Sequence, residues 1–163
     1  MTISKDIFRA YDIRGTIGDQ ITPEIFYRIA RAYAAHFDNP GKSTVVVGRD
    51  LRPTSPELQD AAMEGLMDTG CSIIDIGESP TPLVYFAIGH LNADGGLAVT
   101  ASHKPPEFNG IKLRHGEWPF YGEDLQTLYD AVEAGDFADG SGEYEKYDVY
   151  PEYFEIAACQ LNL

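Results

Sequence analysis

A hydroxyl, an imidazole and an ammonium stand in a row at Ser102, His103 and Lys104, and a second ammonium, Lys112, follows within a dozen residues. Such a set can make a serine an oxygen nucleophile, or a carrier of phosphate, inside a locally cationic pocket. The same residues also fit a plainer role, with Ser102 a polar loop residue at a strand end. From local chemistry both readings stay open.

The flanking residues say how these groups would be held. Gly95-Gly96-Leu97-Ala98-Val99 supplies a short apolar run that reads as a buried strand. Pro105 and Pro106 fix their own φ and restrict the residues before them, so the loop between is expected to be stiff. Asn109-Gly110 reads as a turn, and Ile111-Lys112-Leu113 as the start of a second strand. With Ile111 and Leu113 facing the core, alternation turns Lys112 to the other side, where it can reach back over Ser102.

A second group of donors lies near the start, in Phe8-Arg9-Ala10-Tyr11-Asp12-Ile13-Arg14-Gly15. The segment is too irregular for a helix and reads as a loop presenting donors, or as an extended arm whose arginines pair with surface carboxylates.

Between and beyond these groups, strands and helices alternate. Thr22 caps and Pro23 opens a helix with Ile25, Ile29, Ala32 and Tyr33 on one stripe, running to about Phe37, where His36 complements the helix dipole. Thr44 to Gly48 is a β-branched run without alternation, as in a strand covered on both faces. Ser55 as cap and Pro56 at the first turn begin a helix to Thr69, Cys71 to Ile76 forms the next strand, and Leu83 to Leu91 a short apolar helix. After the second loop strand comes a surface turn, with Trp118 expected over the core. A helix from Gly122 to Ala134 follows, carrying Leu125, Leu128 and Val132 on one side. This order predicts an α/β fold, a three-layer α/β/α domain with a mixed, mostly parallel sheet. Asp136 to Gly142 reads as a linker. Residues 1–142 are thus assigned to one domain, and 143–163 to a C-terminal helical segment whose aromatic face suggests a seam for another domain.

Composition narrows the partners. Twelve basic against 26 acidic residues give a net charge of −14, which argues against nucleic acid and against anionic membrane surfaces. The acids gather between Glu123 and Glu155, while Arg9, Arg14, Arg49, Arg52, Lys104 and Lys112 lie in or near loops, so the local field can be cationic where the net charge is not. Two widely separated cysteines, Cys71 and Cys159, describe reduced thiols rather than a disulfide scaffold. The longest apolar run is too short to span a bilayer and the N-terminus carries no signal-type apolar segment, so a cytoplasmic location is expected. There is no Gly-Xaa-Ser-Xaa-Gly elbow of a serine hydrolase, no P-loop and no Gly-Xaa-Gly-Xaa-Xaa-Gly.

Thr100-Ala101-Ser102-His103-Lys104-Pro105-Pro106-Glu107-Phe108-Asn109-Gly110-Ile111-Lys112 resembles the active-site serine loop of the α-D-phosphohexomutases, the phosphomannomutase/phosphoglucomutase superfamily. Phe8 to Gly15 is similar to the N-terminal motif of the bacterial branch, and Gly48-Arg49-Asp50-Leu51-Arg52 also recurs in the family, where it reads as mainly structural, an Arg-Asp pair bracing its loop. The resemblance implies that Ser102 is carried as a phosphoserine and exchanges phosphoryl groups with hexose 1- and 6-phosphates through a 1,6-bisphosphate, which also acts as activator. It further implies Lys112 as general acid or base, His103 as a residue orienting the phosphate or the loop, and Tyr11 and Arg14 near the reacting phosphate. Mg²⁺ would be held in part by Ser102 through its phosphate.

Two departures qualify the match. Lys104 stands where the family usually has Asn, adding a positive charge beside the phosphate. The resemblance also covers only the first of the family's four domains: no Asp-Gly-Asp-Xaa-Asp metal loop, Gly-Glu-Xaa-Ser-Gly-type sugar loop or C-terminal phosphate clamp is present. The expectation is therefore the first domain of a phosphohexomutase, an isomerase, inactive or nearly so without the missing domains of the same polypeptide. The alternative is a standalone phosphate-binding or regulatory module of the same fold without catalysis.

Overall fold

The computed structural model describes residues 3–161. After a 3-10 turn at Lys5–Ile7 come β1 (Ile13–Thr16), α1 (Pro23–Ala34), β2 (Thr44–Arg49), α2 (Ser55–Asp68), β3 (Ser72–Glu78), α3 (Thr81–His90) and β4 (Gly95–Val99). They are followed by β5 (Phe108–His115), β6 (Trp118–Pro119), α4 (Glu123–Ala134), β7 (Tyr144–Lys146) and α5 (Tyr150–Gln160). No described helix is long and apolar enough to cross a membrane.

One seven-stranded sheet runs in the order β1-β5-β4-β2-β3-β7, with β6 paired to β5. The pairs β4–β2, β2–β3 and β3–β7 are parallel, and β5 is antiparallel to β4, β1 and β6, so β5 alone runs against the other strands. The mixed, mostly parallel sheet expected from the alternation of elements is therefore present.

Continuous apolar strands are what a sheet covered on both sides requires. Val45, Val47, Leu97, Val99, Ile111 and Leu113 pack with α1, α2 and α4 on one face. Val46, Ala98 and Ile76 pack with α3 on the other, where Val149 and the tyrosines at the start of α5 join them. Thr22 caps α1 by accepting from the Ile25 N–H at 3.3 Å, with Pro23 behind it, and His36 Nδ1 lies 3.0 Å from the Ala32 carbonyl at the other end. The helix stops at Ala34, ahead of Phe37.

Four expectations are corrected. Asn109 and Gly110 do not turn the chain: both lie inside β5, opposite Gly15 and Arg14 of β1. Gly110 is there for close approach, since a Cβ would run into the Ile13 carbonyl and stand 3.1 Å from the Thr100 carbonyl oxygen. Arg14 belongs to β1 rather than to a loop. Trp118 is 78% exposed on the two-residue edge strand β6, and Phe120, two positions on, takes the core site against Tyr33 and His36. Helix α2 starts at Ser55 with no side-chain cap, because the Ser55 hydroxyl is donated to Asp50 Oδ1 at 2.6 Å.

The segment 135–143 is irregular but tied down along the end of α2, with Gly140 N–H on the Asp68 carbonyl and Gly142 N–H on that of Met67. It delivers Tyr144–Lys146 to the edge of β3.

Candidate active site

The candidate site forms where β4 ends. Pairing between β4 and β5 continues one step beyond β4, with the Thr100 N–H on the Gly110 carbonyl at 2.9 Å, and Gly110 faces Arg14 on its other side. Thr100, Gly110 and Arg14 thus form a row across three adjacent stretches of backbone in the sheet. Directly opposed residues of an antiparallel pair share a face, as do alternate residues of one strand. Arg14, Gly110 and Lys112 are therefore on one face, with Lys112 opposite Ala98. Arg114 follows on that face and lies 4.4 Å over the Tyr85 ring of α3.

Past Thr100 the chain leaves the sheet in a tight turn. Ser102 takes a left-handed φ of 55°, its N–H donating to Thr100 Oγ1 at 2.8 Å, and the Lys104 N–H closes the turn on the Ala101 carbonyl at 3.1 Å. Non-glycine residues rarely hold that conformation, and when held it marks a functional loop often enough to be a pointer. The Ser102 side chain is exposed, with His103 Nδ1 3.4 Å from its oxygen. Lys104 turns along the loop, its Nζ 5.7 Å over the Phe108 ring.

Asp12 is the group that organises the cations. One of its oxygens accepts from Arg14 Nη2 and pairs with Lys112 Nζ at 3.4 Å. Arg14 is buried to 8% exposure, and its Nε has no hydrogen-bond partner among the described residues. Such an orphaned charged donor is costly unless something arrives to meet it. Burial pushes the Tyr85 phenol up, with Arg114 opposing and the Asp12 charge adding to the rise. Tyr11 is 75% exposed, its ring stacked on Tyr121 at 6.3 Å.

The structure brings Arg14 and Lys112 together, sets His103 against Ser102, and leaves Tyr11 outermost. Sequence reasoning named these residues but passed over Asp12, whose signal was its place two residues before Arg14. It also placed the Arg-Asp pair of the β2 loop too locally. Asp50 pairs with Arg52 at 3.1 Å, while Arg49 goes to Glu78 at 3.3 Å, and Arg52 reaches the serine loop itself. Asn109 anchors the loop's far end, donating to Thr54 Oγ1 at 2.9 Å and Ser55 Oγ at 3.0 Å.

Arranged this way, the site can offer an exposed hydroxyl to a dianionic group, with Arg14 and Lys112 the cations to balance its charge. Among the described residues no three His, Cys, Asp or Glu side chains gather as a metal site.

Comparison with known proteins identifies the family and the fold. A family model described as phosphoglucomutase/phosphomannomutase, alpha/beta/alpha domain I, matches residues 5–139. The chain is similar to the phosphomannomutase/phosphoglucomutase of Pseudomonas aeruginosa PAO1, 41% identical over 154 residues, covering 94% of this chain and 33% of that protein. A phosphomannomutase of Klebsiella pneumoniae is 49% identical over 126 residues, covering 74% of this chain and 78% of that one. A crystal structure of a phosphoglucomutase/phosphomannomutase family protein from Burkholderia thailandensis superposes with a TM-score of 0.87 at 39% identity, over 94% of this chain and 35% of that chain. The chain spans about a third of the length of the Pseudomonas and Burkholderia proteins.

Proposed function

Because the chain belongs to the phosphoglucomutase/phosphomannomutase family through its α/β/α domain I, we propose that it supplies the phosphoryl-carrying serine of a phosphohexomutase, with Ser102 as that residue. The observation that carries this reading is the exposed Ser102 hydroxyl, held in a left-handed turn beyond the end of β4, beside the sheet face that holds Arg14 and Lys112.

Phosphoryl transfer depends mostly on positioning and charge compensation. A phosphoserine at position 102 would bring about −1.5 to −2 of charge. Arg14, with its unpaired Nε, and Lys112 are the groups to meet it. In the forward step the bond from phosphorus to Ser102 Oγ breaks as one forms to a hydroxyl of a hexose 1- or 6-phosphate, giving the 1,6-bisphosphate. The sugar hydroxyl gives up a proton and Ser102 Oγ gains one. Lys112 is assigned to that exchange, and His103 to orienting the serine oxygen. The reverse step returns the other phosphate to Ser102. Tyr11 and Lys104 are assigned to the rim of the phosphate site.

Mg²⁺ fits the reading as a counter-charge, with the Ser102 phosphate the ligand this chain would provide. The described residues gather no further ligand set, so no step is derived through the metal. The remaining ligands and the sugar site are assigned to other domains of a longer polypeptide, and the compartment to the cytoplasm. Neither nucleic acid nor membrane is assigned as a partner.

The test is single-turnover transfer. The longer polypeptide that carries this domain, phosphorylated at Ser102, is mixed with hexose 6-phosphate and Mg²⁺, and the protein mass and sugar products are followed together. Loss of one phosphate from the protein with matching appearance of hexose bisphosphate is expected. Loss with only inorganic phosphate as product would show a phosphoserine that hydrolyses but does not serve a sugar.

A further inference from the structure

We infer that Arg52 is the positioning residue for Ser102, fixing the serine loop through a single guanidinium group that gathers its carbonyl oxygens. The inference rests on the reading of Ser102 as phosphoryl carrier for its purpose, and on geometry alone for its existence.

Arg52 Nη2 donates to the Ser102 carbonyl at 3.0 Å and to that of Lys104 at 2.6 Å. Its Nη1 donates to the carbonyls of Pro105 at 2.9 Å and Phe108 at 3.1 Å. Nε is spent on Asp50 Oδ2 at 3.1 Å, and the other oxygen of Asp50 accepts from the Arg52 N–H and the Ser55 hydroxyl. The guanidinium plane is therefore fixed from behind while its outer edge holds the loop.

The loop needs such a brace. Two of its residues, Pro105 and Pro106, have no N–H. Ser102 sits in a left-handed conformation that L-residues rarely adopt. A strained residue persists only where its surroundings over-determine it. Each Arg52 bond is charge-assisted, hence stronger than a neutral one. The four carbonyls drawn onto the guanidinium are also four oxygens kept from facing the anion that Ser102 would carry. A lysine could not substitute, because a compact ammonium lacks the planar fork that spans four acceptors.

Arg52→Lys and Arg52→Ala chains would be compared with wild type by circular dichroism and thermal melting and by amide hydrogen exchange over residues 103–108, and the same substitutions in the longer polypeptide by Ser102 phosphorylation from hexose 1,6-bisphosphate at varied donor concentration. Both variants are expected to fold and to exchange those amides at least about tenfold faster, with β4 and β5 protected as before. The maximal rate of uptake should fall by about tenfold or more with the half-saturating donor concentration little changed. Millimolar guanidinium ion should restore part of both effects in Arg52→Ala. Wild-type exchange across the loop in folded Arg52→Lys overturns the inference. Should wild type with all its domains take up no phosphate, the phosphoryl-carrier reading falls, and the exchange comparison still decides whether Arg52 positions the loop. If Arg52→Ala does not fold, Arg52→Lys decides alone.

Discussion

Lys112 Nζ lies 3.4 Å from Asp12 Oδ2, a pair that joins β5 to the turn before β1 across 100 positions of sequence. Arg14 uses the same oxygen. One carboxylate thus aims two cations at the space above the strand row, and an arriving phosphate would share them with it.

Replacing that carboxylate should separate binding from transfer. Asp12→Asn removes a negative charge from beside the proposed phosphate site, so in the longer polypeptide hexose phosphate should bind as well as before or a few-fold more tightly. It also frees Lys112 and Arg14 from their aim, and misplacing such groups by about 1 Å can cost ~10²-fold in rate. Isothermal titration and single-turnover phosphorylation of Ser102 would show retained affinity with slower transfer.

The left-handed φ of Ser102 predicts a stability cost set against function. Ser102→Gly and Ser102→Ala both remove the hydroxyl proposed as nucleophile, but only glycine accepts φ of 55° without steric cost. Ser102→Gly should be more stable than Ser102→Ala by about 1 kcal/mol, a Tm difference of ~2–4 °C for a domain of this size.

Gly110 makes the opposite prediction. Alanine there would press on the Ile13 carbonyl, with the Thr100 carbonyl oxygen 3.1 Å away, and so would part β1 from β5. Overpacking of this kind costs about 1–3 kcal/mol. Gly110→Ala should lower the Tm by several degrees, and exchange of the β1 amides should rise with it.

Alkaline pH should weaken the fold through Cys71. Burial pushes this thiol from 9.0 up to about 11. Above its unfolded value the unfolded chain releases the proton while the native chain keeps it, so the unfolded state binds fewer protons and stability falls as pH rises from 9 to 11. Two units set a ceiling of about 3 kcal/mol. Urea melts from pH 8.5 to 11 should fall less steeply for Cys71→Ala than for wild type. Tyr33, also pushed up by burial, adds a loss of the same sign at higher pH in both proteins.

Much of this architecture was legible in the sequence, for physical reasons. Thr44–Arg49 reads as a buried strand because β-branched residues continue on both faces, and α1 because Thr22 and Pro23 mark its start and one apolar stripe its buried side. The serine loop stood out through its own unusual run of residues. Other features left no such mark. Asn-Gly is a turn signal, yet here the Asn109 amide is buried on Thr54 and Ser55 and Gly110 serves a close strand contact. Strand β7 is three exposed residues in a polar tail, with nothing alternating to announce it. Arg52 acts on backbone carbonyls, and a carbonyl carries no residue identity from which a partner could be read.

The measurement that bears most directly on Ser102 as phosphoryl carrier is phosphosite mapping after incubation of the longer polypeptide that carries this domain with hexose 1,6-bisphosphate and Mg²⁺, with Ser102→Ala alongside. One phosphate, located on Ser102 and absent from Ser102→Ala, is the predicted result. Uptake that persists in Ser102→Ala, or a folded wild-type polypeptide with all its domains that takes up none, would contradict it.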